Sequence, residues 1–171
     1  PLASPLTDCG AICMGLRQMQ HYQSLVDDAT SKGARVLSGG FLPSKDDPLA
    51  RGSFYPPTIL ADVPETADIA QEEIFGPIQV IIPFEDEEDA IKIANSTKYG
   101  LVASIWTLDG ARQMRVAKAI KSGQVFINNY GAGGGVELPF GGSGYSGHGR
   151  EKGFEALYGF STLKTIAAMH E

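Results

Sequence analysis

Gln71 to Phe84 reads QEEIFGPIQVIIPF, and the fold is decided by how that stretch is read. Two adjacent carboxylates, Glu72 and Glu73, precede an aromatic, Phe75, and a Gly76-Pro77 break, after which Ile78 to Phe84 is almost wholly apolar. A run so short and so apolar predicts one buried strand rather than a helix. Open α/β sheets gather ligand contacts near the mouths of such strands, with the carboxyl ends the favoured side. The plain alternative is that Glu72 and Glu73 are solvated loop charges.

Outward from that strand toward the carboxyl terminus the pattern is regular. Ile78 to Phe84 is predicted as a strand, Glu85 to Thr97 as a helix, Leu101 to Thr107 as a strand, Asp109 to Lys121 as a helix and Gln124 to Asn128 as a strand. The fold class this implies is α/β, a βαβαβ parallel sheet with flanking helices, because short alternating connections favour parallel strands. The run Glu85, Asp86, Glu87, Glu88, Asp89 could be taken for a metal site or an interaction patch. Negative charge at a helix N-terminus, favoured by the helix dipole, accounts for it more simply. Lys118 and Lys121 suit the other end of the next helix, which Gly123 follows.

Toward the amino terminus, Met14 to Lys32 reads as a helix with Leu16, Met19, Leu25, Val26 and Ala29 near one stripe, stopped at Gly33. Arg35 to Ser38 reads as a short strand, and FYPPTIL, Phe54 to Leu60, as the next. Beyond the glycine-rich loop, Glu151 to Tyr158 is a short predicted helix and Ser161 to Ala168 a terminal strand. A strand with no neighbour in its own chain is an exposed edge, and edges are usually paired or hidden.

Composition narrows the function classes. The 171 residues are 43% hydrophobic and 20% charged, which is globular composition. The net charge is −6 and the 14 Lys and Arg are scattered, so neither nucleic acid nor an anionic membrane surface is an expected partner. No apolar run approaches a spanning length and the opening lacks a signal-like basic and apolar region, so the expected compartment is cytoplasmic. The chain starts at Pro1 in what reads as the middle of a loop, which leads us to expect an upstream region. Cys9 and Cys13 are too few for a disulfide scaffold, and with only His21, His148 and His170 there is no metal-ligand spacing. Neither cysteine has a cationic neighbour or helix N-terminus to lower its pKa, so both are expected to be structural.

Nine of the nineteen residues from 131 to 149 are glycine. Gly142 to Gly147, GSGYSG, satisfies G-x-G-x-x-G. It is a decoy, because a dinucleotide fingerprint closes on a strand and opens a βαβ unit with an acid about 20 residues on.

Several of these stretches resemble the aldehyde dehydrogenase superfamily in the family's own order: TDCGAI, KGARVLSGG, FYPPTIL, EEIFGP with its strand, ANSTKYGLVASIWT (Ala94 to Thr107) and PFGGSGYSGHGRE (Pro139 to Glu151). The resemblance implies that NAD or NADP is the cofactor, that Glu73 accepts the ribose hydroxyls of its nicotinamide half, and that Phe75 and Leu101 contact the same group. It implies that Phe140 lines the aldehyde tunnel. An ionised carboxylate suits such a diol, since it only accepts and has two oxygens. The family's chemistry is attack of a cysteine thiolate on the aldehyde, hydride transfer, and thioester hydrolysis by water activated by a glutamate. Neither Cys9 nor Cys13 has the family's GQxC-like context. No catalytic residue is therefore assigned in this chain, and the nucleophile and general base are expected upstream.

The domains implied are residues 1–146 as the later part of the catalytic domain and 147–171 as a tail, whose strand at about 161–168 joins another subunit in a homodimer or homotetramer. Such a portion is expected to be inactive alone. Gly144 departs from the motif, which commonly has lysine there. Ala132 to Gly135 stand where the family often has an aromatic, which suggests a wider tunnel. The alternative is a short, non-catalytic relative serving as an oligomerisation or regulatory module.

Overall fold

The computed structural model describes residues 11–12, 15–130 and 135–170. The chain divides into two units, residues 1–85 and 86–171.

In the first unit β1 (Ala11–Ile12) is followed by α1 (Leu16–Ser31). Met19, Tyr22, Leu25, Val26 and Ala29, spaced by three and four, are buried along one face of α1. Leu16 is exposed rather than part of that stripe, since it opens the helix one turn short of Met19. Lys32 closes α1, its N–H donating to the carbonyls of Asp28 and Ala29 at 3.1 Å each, and Gly33 follows. Next come β2 (Arg35–Ser38), β3 (Phe54–Tyr55) and β4 (Thr58–Ala61). The single strand predicted over FYPPTIL is split in two, because Pro56 and Pro57 have no N–H to give to a ladder. Its first half, β3, pairs antiparallel with β1. Its second half, β4, lies between β2, antiparallel, and β5 (Ile78–Ile81), parallel, with α2 (Asp68–Gln71) on the connection.

The strand after Pro77 is therefore shorter and more one-sided than its composition suggests. Ile78 and Val80 are half-buried whereas Gln79 and Ile81 are exposed, and Pro83 and the exposed Phe84 lie beyond its end. Leu25, Val26 and Ala29 of α1 meet Ala34, Leu60, Val63, Ala67 and Ile69 in the core, with Ile74, Ile78, Val80 and Ile82 packed against them.

The second unit holds α3 (Glu87–Ala94), β6 (Tyr99–Gly100), β7 (Val102–Ile105), α4 (Gly110–Ala119), β8 (Gln124–Ile127), β9 (Ser143–Gly144) and α5 (Glu155–Gly159). Both longer helices start on an aspartate. The Asp86 carboxylate accepts from the N–H of Asp89 at 2.9 Å, and that of Asp109 from Ala111 and Arg112 at 2.9 and 3.0 Å. The N–H of Arg112, followed by that of Ala111, holds the Asp109 carboxyl below its ordinary pKa. Asn95 ends α3, and its side chain donates to the Ala119 carbonyl and accepts from the Lys121 N–H, tying the ends of the two helices together. The helix thus stops at Ala94, short of the expected Thr97. Lys118 sits in the last turn of α4 as expected, while Lys121 falls beyond it.

Within each unit one parallel strand pair forms, a part of the expected βαβαβ sheet. Among the described residues, β7 and β8 are a parallel pair joined by α4, in register from Val102↔Gln124 to Ile105↔Ile127. The parallel neighbour of β5 is β4, reached through α2, and β6 turns away to pair antiparallel with β9. The strand predicted from Leu101 to Thr107 breaks at Leu101 for this reason. No strand forms over 161–168: residues 161–170 carry no regular structure. A strand exists only through its ladder, and no described segment offers these residues an edge.

Candidate functional site

The loop from Glu72 to Gly76 is held from behind by α1. The Tyr22 hydroxyl donates to the Phe75 carbonyl, and Gln18 Nε2 donates to the Ile74 carbonyl at 3.4 Å. The Tyr22 ring is itself fixed edge-on to Tyr55, centroids 5.4 Å apart. Gly76 lies so close against that ring that a Cβ there would collide with it. Ile74 packs on the core, while Glu73 and Phe75 on either side of it are exposed, the Phe75 side chain at 75%. Phe75 has φ +53, a left-handed conformation that non-glycine residues adopt at a cost, and its carbonyl is the one that accepts from Tyr22.

This geometry presents a carboxylate and a flat apolar ring two residues apart on a fixed backbone. Glu73 has no hydrogen bond or ion pair to a described residue, so both of its oxygens are open to an incoming donor. Its residues fit the ribose end of a dinucleotide: a vicinal diol can give two hydrogen bonds to one carboxylate, and a ring alongside can contact sugar or base without competing for them.

Leu101 and Phe140 belong to the second unit. Leu101, between β6 and β7, is 38% exposed. Gln124 at the start of β8 joins the two stretches: its N–H donates to the Leu101 carbonyl at 3.1 Å and its Nε2 to the Pro139 carbonyl at 3.0 Å. Phe140 and Glu151 form an isolated antiparallel bridge with reciprocal N–H···O bonds of 2.6 Å. Arg150 reaches back to the carbonyls of Gly142 and Gly149, so the motif closes on itself as a loop. Ser143 and Gly144 pair with β6, and the next helix along the chain opens at Glu155.

Backbone geometry favours glycine at 144. The residue has φ +60 and stands so near the Lys98 carbonyl that a Cβ would run into it. Lysine would be strained in this backbone. A cation is close by all the same, because Lys98 Nζ lies 5.5 Å from the Tyr99 ring and 5.2 Å from that of Tyr145.

The structure thus brings Glu73 and Phe75 together on one loop and links the backbones of Leu101 and Pro139 through Gln124. Cys9, Cys13 and the glycine-rich residues 131–134, including Ala132, lie outside the described residues. Among those described, no group of three or more His, Cys, Asp and Glu could hold a metal ion. Residues that the sequence did not single out are Gln18, Tyr22, Gln124 and Lys152. Only Tyr22 had a local signal, three residues beyond Met19 on the buried face of a helix.

Comparison with known proteins agrees with the motifs. The profile of the Aldehyde dehydrogenase family matches residues 3–166, so the chain belongs to that family. It is 38% identical over 149 residues to the betaine aldehyde dehydrogenase of Agrobacterium fabrum, covering 87% of this chain and 30% of the relative. A solved chain from Burkholderia cenocepacia, described as a candidate aldehyde dehydrogenase, is 55% identical with a TM-score of 0.78, over 92% of this chain and 33% of that one. The Mycobacterium tuberculosis aldehyde dehydrogenase complexed with NAD+ is 39% identical with a TM-score of 0.78, over 88% and 30%. The chain spans about 30% of the length of the curated relatives it matches. No helix among the described residues is long and apolar enough to cross a membrane.

Proposed function

We propose that this chain is the carboxyl-terminal portion of an NAD(P)-dependent aldehyde dehydrogenase, with residues 1–146 the later part of the catalytic domain and 147–171 its assembly tail. The observation that carries the reading is the loop at Glu73, a carboxylate without a partner among the described residues, beside an exposed ring on a backbone pinned by Tyr22. Glu73 accepts the two ribose hydroxyls on the nicotinamide side with Phe75 beside it, and Leu101 is assigned a cofactor contact from the family motif alone. Phe140 lines the aldehyde path. The bound nicotinamide supplies the acceptor for the hydride that leaves the aldehyde carbon. The nucleophilic cysteine and the general-base glutamate lie outside this chain, so these residues alone carry out no turnover. A homodimer or homotetramer assembled through residues 161–168, in the cytoplasm, belongs to the same reading. It is supported by the exposure of Leu163 and Ile166 in a segment of strand-like sequence.

Glu73→Gln in the full-length enzyme tests it. The exchange keeps the shape and removes the charge from two hydrogen bonds, each worth about 1.5–3 kcal/mol to a charged group. The KM for NAD(P) is expected to rise about tenfold or more, with the KM for aldehyde little changed. An unaltered affinity for cofactor would refute the role given to this loop.

A further inference from the structure

Lys152 stands beside Phe140 in a backbone conformation that a lysine enters only at a cost, φ +60. The reciprocal bonds between Phe140 and Glu151 fix the residue that follows them, and the Gly153 N–H, donating to the Val136 carbonyl at 2.7 Å, fixes the one after. From that position the Lys152 ammonium reaches over the Phe140 ring, 5.6 Å from its centroid. It has no ion-pair partner among the described residues, whereas Lys32, Arg35, Lys92, Arg112 and Arg115 each have one. Glu151 and Glu155, close to it in sequence, are exposed and form no ion pair with it.

We propose that Lys152 determines specificity, favouring aldehydes that carry a second, anionic group at the far end over neutral aldehydes of the same length. This rests on the reading of Phe140 as a wall of the aldehyde path. Contact with an aromatic face holds an ammonium in place without neutralising it. A carboxylate on a substrate lying against the same ring therefore meets a positive charge held at a fixed place. A neutral chain end gains nothing from that charge.

The experiment uses the full-length enzyme containing these residues and compares kcat/KM for a four-carbon aldehyde bearing a terminal carboxylate with that for butanal. It is run on wild type, Lys152→Met and Lys152→Gly, the last of which adopts the left-handed backbone freely and so separates charge from strain. The anionic-to-neutral ratio is expected to fall about fivefold or more in both variants, the size expected of one partly screened charge. In wild type the same ratio should decline as salt is raised from about 0.05 to about 0.5 M. A ratio unchanged in both variants, or insensitive to salt in wild type, overturns the proposal while leaving the aldehyde reading standing. Failure of wild type to oxidise either aldehyde with NAD or NADP overturns that reading, and the proposal with it.

Discussion

The hydroxyl of Tyr22 reaches a carbonyl 53 residues away in sequence, and the exposure of Phe75 depends on that reach. Removing the hydroxyl alone should therefore loosen the loop without disturbing the ring stack on Tyr55. Tyr22→Phe leaves the Phe75 carbonyl without its partner, a loss of about 1–3 kcal/mol. In the full-length enzyme, urea unfolding should show it as a lower midpoint, and the KM for NAD(P) should rise as well. A lower midpoint with unchanged cofactor KM would mean that Gln18 and Gly76 hold the loop by themselves. Gly76→Ala acts from the other side: its methyl must displace the Tyr22 ring, with an overpacking cost of about 1–3 kcal/mol. The two variants converge on one contact, so their effects should fall short of additive when combined.

Among the elements, α3 and α4 are clasped at one carboxylate. Glu87 accepts from Arg112 Nε at 3.1 Å and from Arg115 Nε and Nη2 at 2.8 Å each. Its pKa is brought from the ordinary 4.5 down to about 2, chiefly by the hydrogen bonds from Arg115, with partial desolvation opposing them and Arg112 adding to them. A carboxyl depressed on folding stabilises the fold above its unfolded pKa and loses that contribution as pH falls through the folded one. The relevant window is thus from about 4.5 down to about 2. Thermal midpoints measured across it should drop more steeply for wild type than for Glu87→Gln and converge at the acid end. Parallel curves would show the clasp to be without effect on stability.

The same elements mark what could be read from the sequence. Helix starts were legible because Asp86, Asp109 and the acidic first turn act within a few residues of themselves. Strand partners were not, because a ladder is chosen across the fold. The break at Leu101 and the pairing of β5 with β4 come from such choices, whereas the break at Pro56-Pro57 follows from two prolines that the sequence itself displays. The site divided likewise. Glu73, Phe75, Leu101 and Phe140 stood in recognisable motifs, whereas Gln18, Gln124 and Lys152 matter through contacts that no local pattern encodes.

Taken whole, the described residues bury their apolar side chains unevenly. The buried ones, from Met19 to Ile69, all lie in the first unit. In the second, Trp106, Leu108 and Met114 are exposed, as are Leu163, Ile166 and Met169 of the last segment. Exposed apolar groups at this density mark a face that another surface covers, which the proposed assembly would supply. Removing residues 161–171 from the full-length protein should reduce its oligomeric state, read as molar mass by light scattering after size exclusion. An unchanged mass would exclude the last segment as the assembly element.

That last segment carries its own label. Lys164 sits between Leu163 and Thr165 in a stretch without regular structure, where a protease can draw the backbone into its cleft. Trypsin should cut after Lys164 as fast as in a free peptide when the tail hangs loose, and slowly once the tail is laid into a partner's sheet. A timed digestion followed by mass spectrometry would then count covered and uncovered tails directly, reporting the state of the assembly from the rate at which one bond disappears.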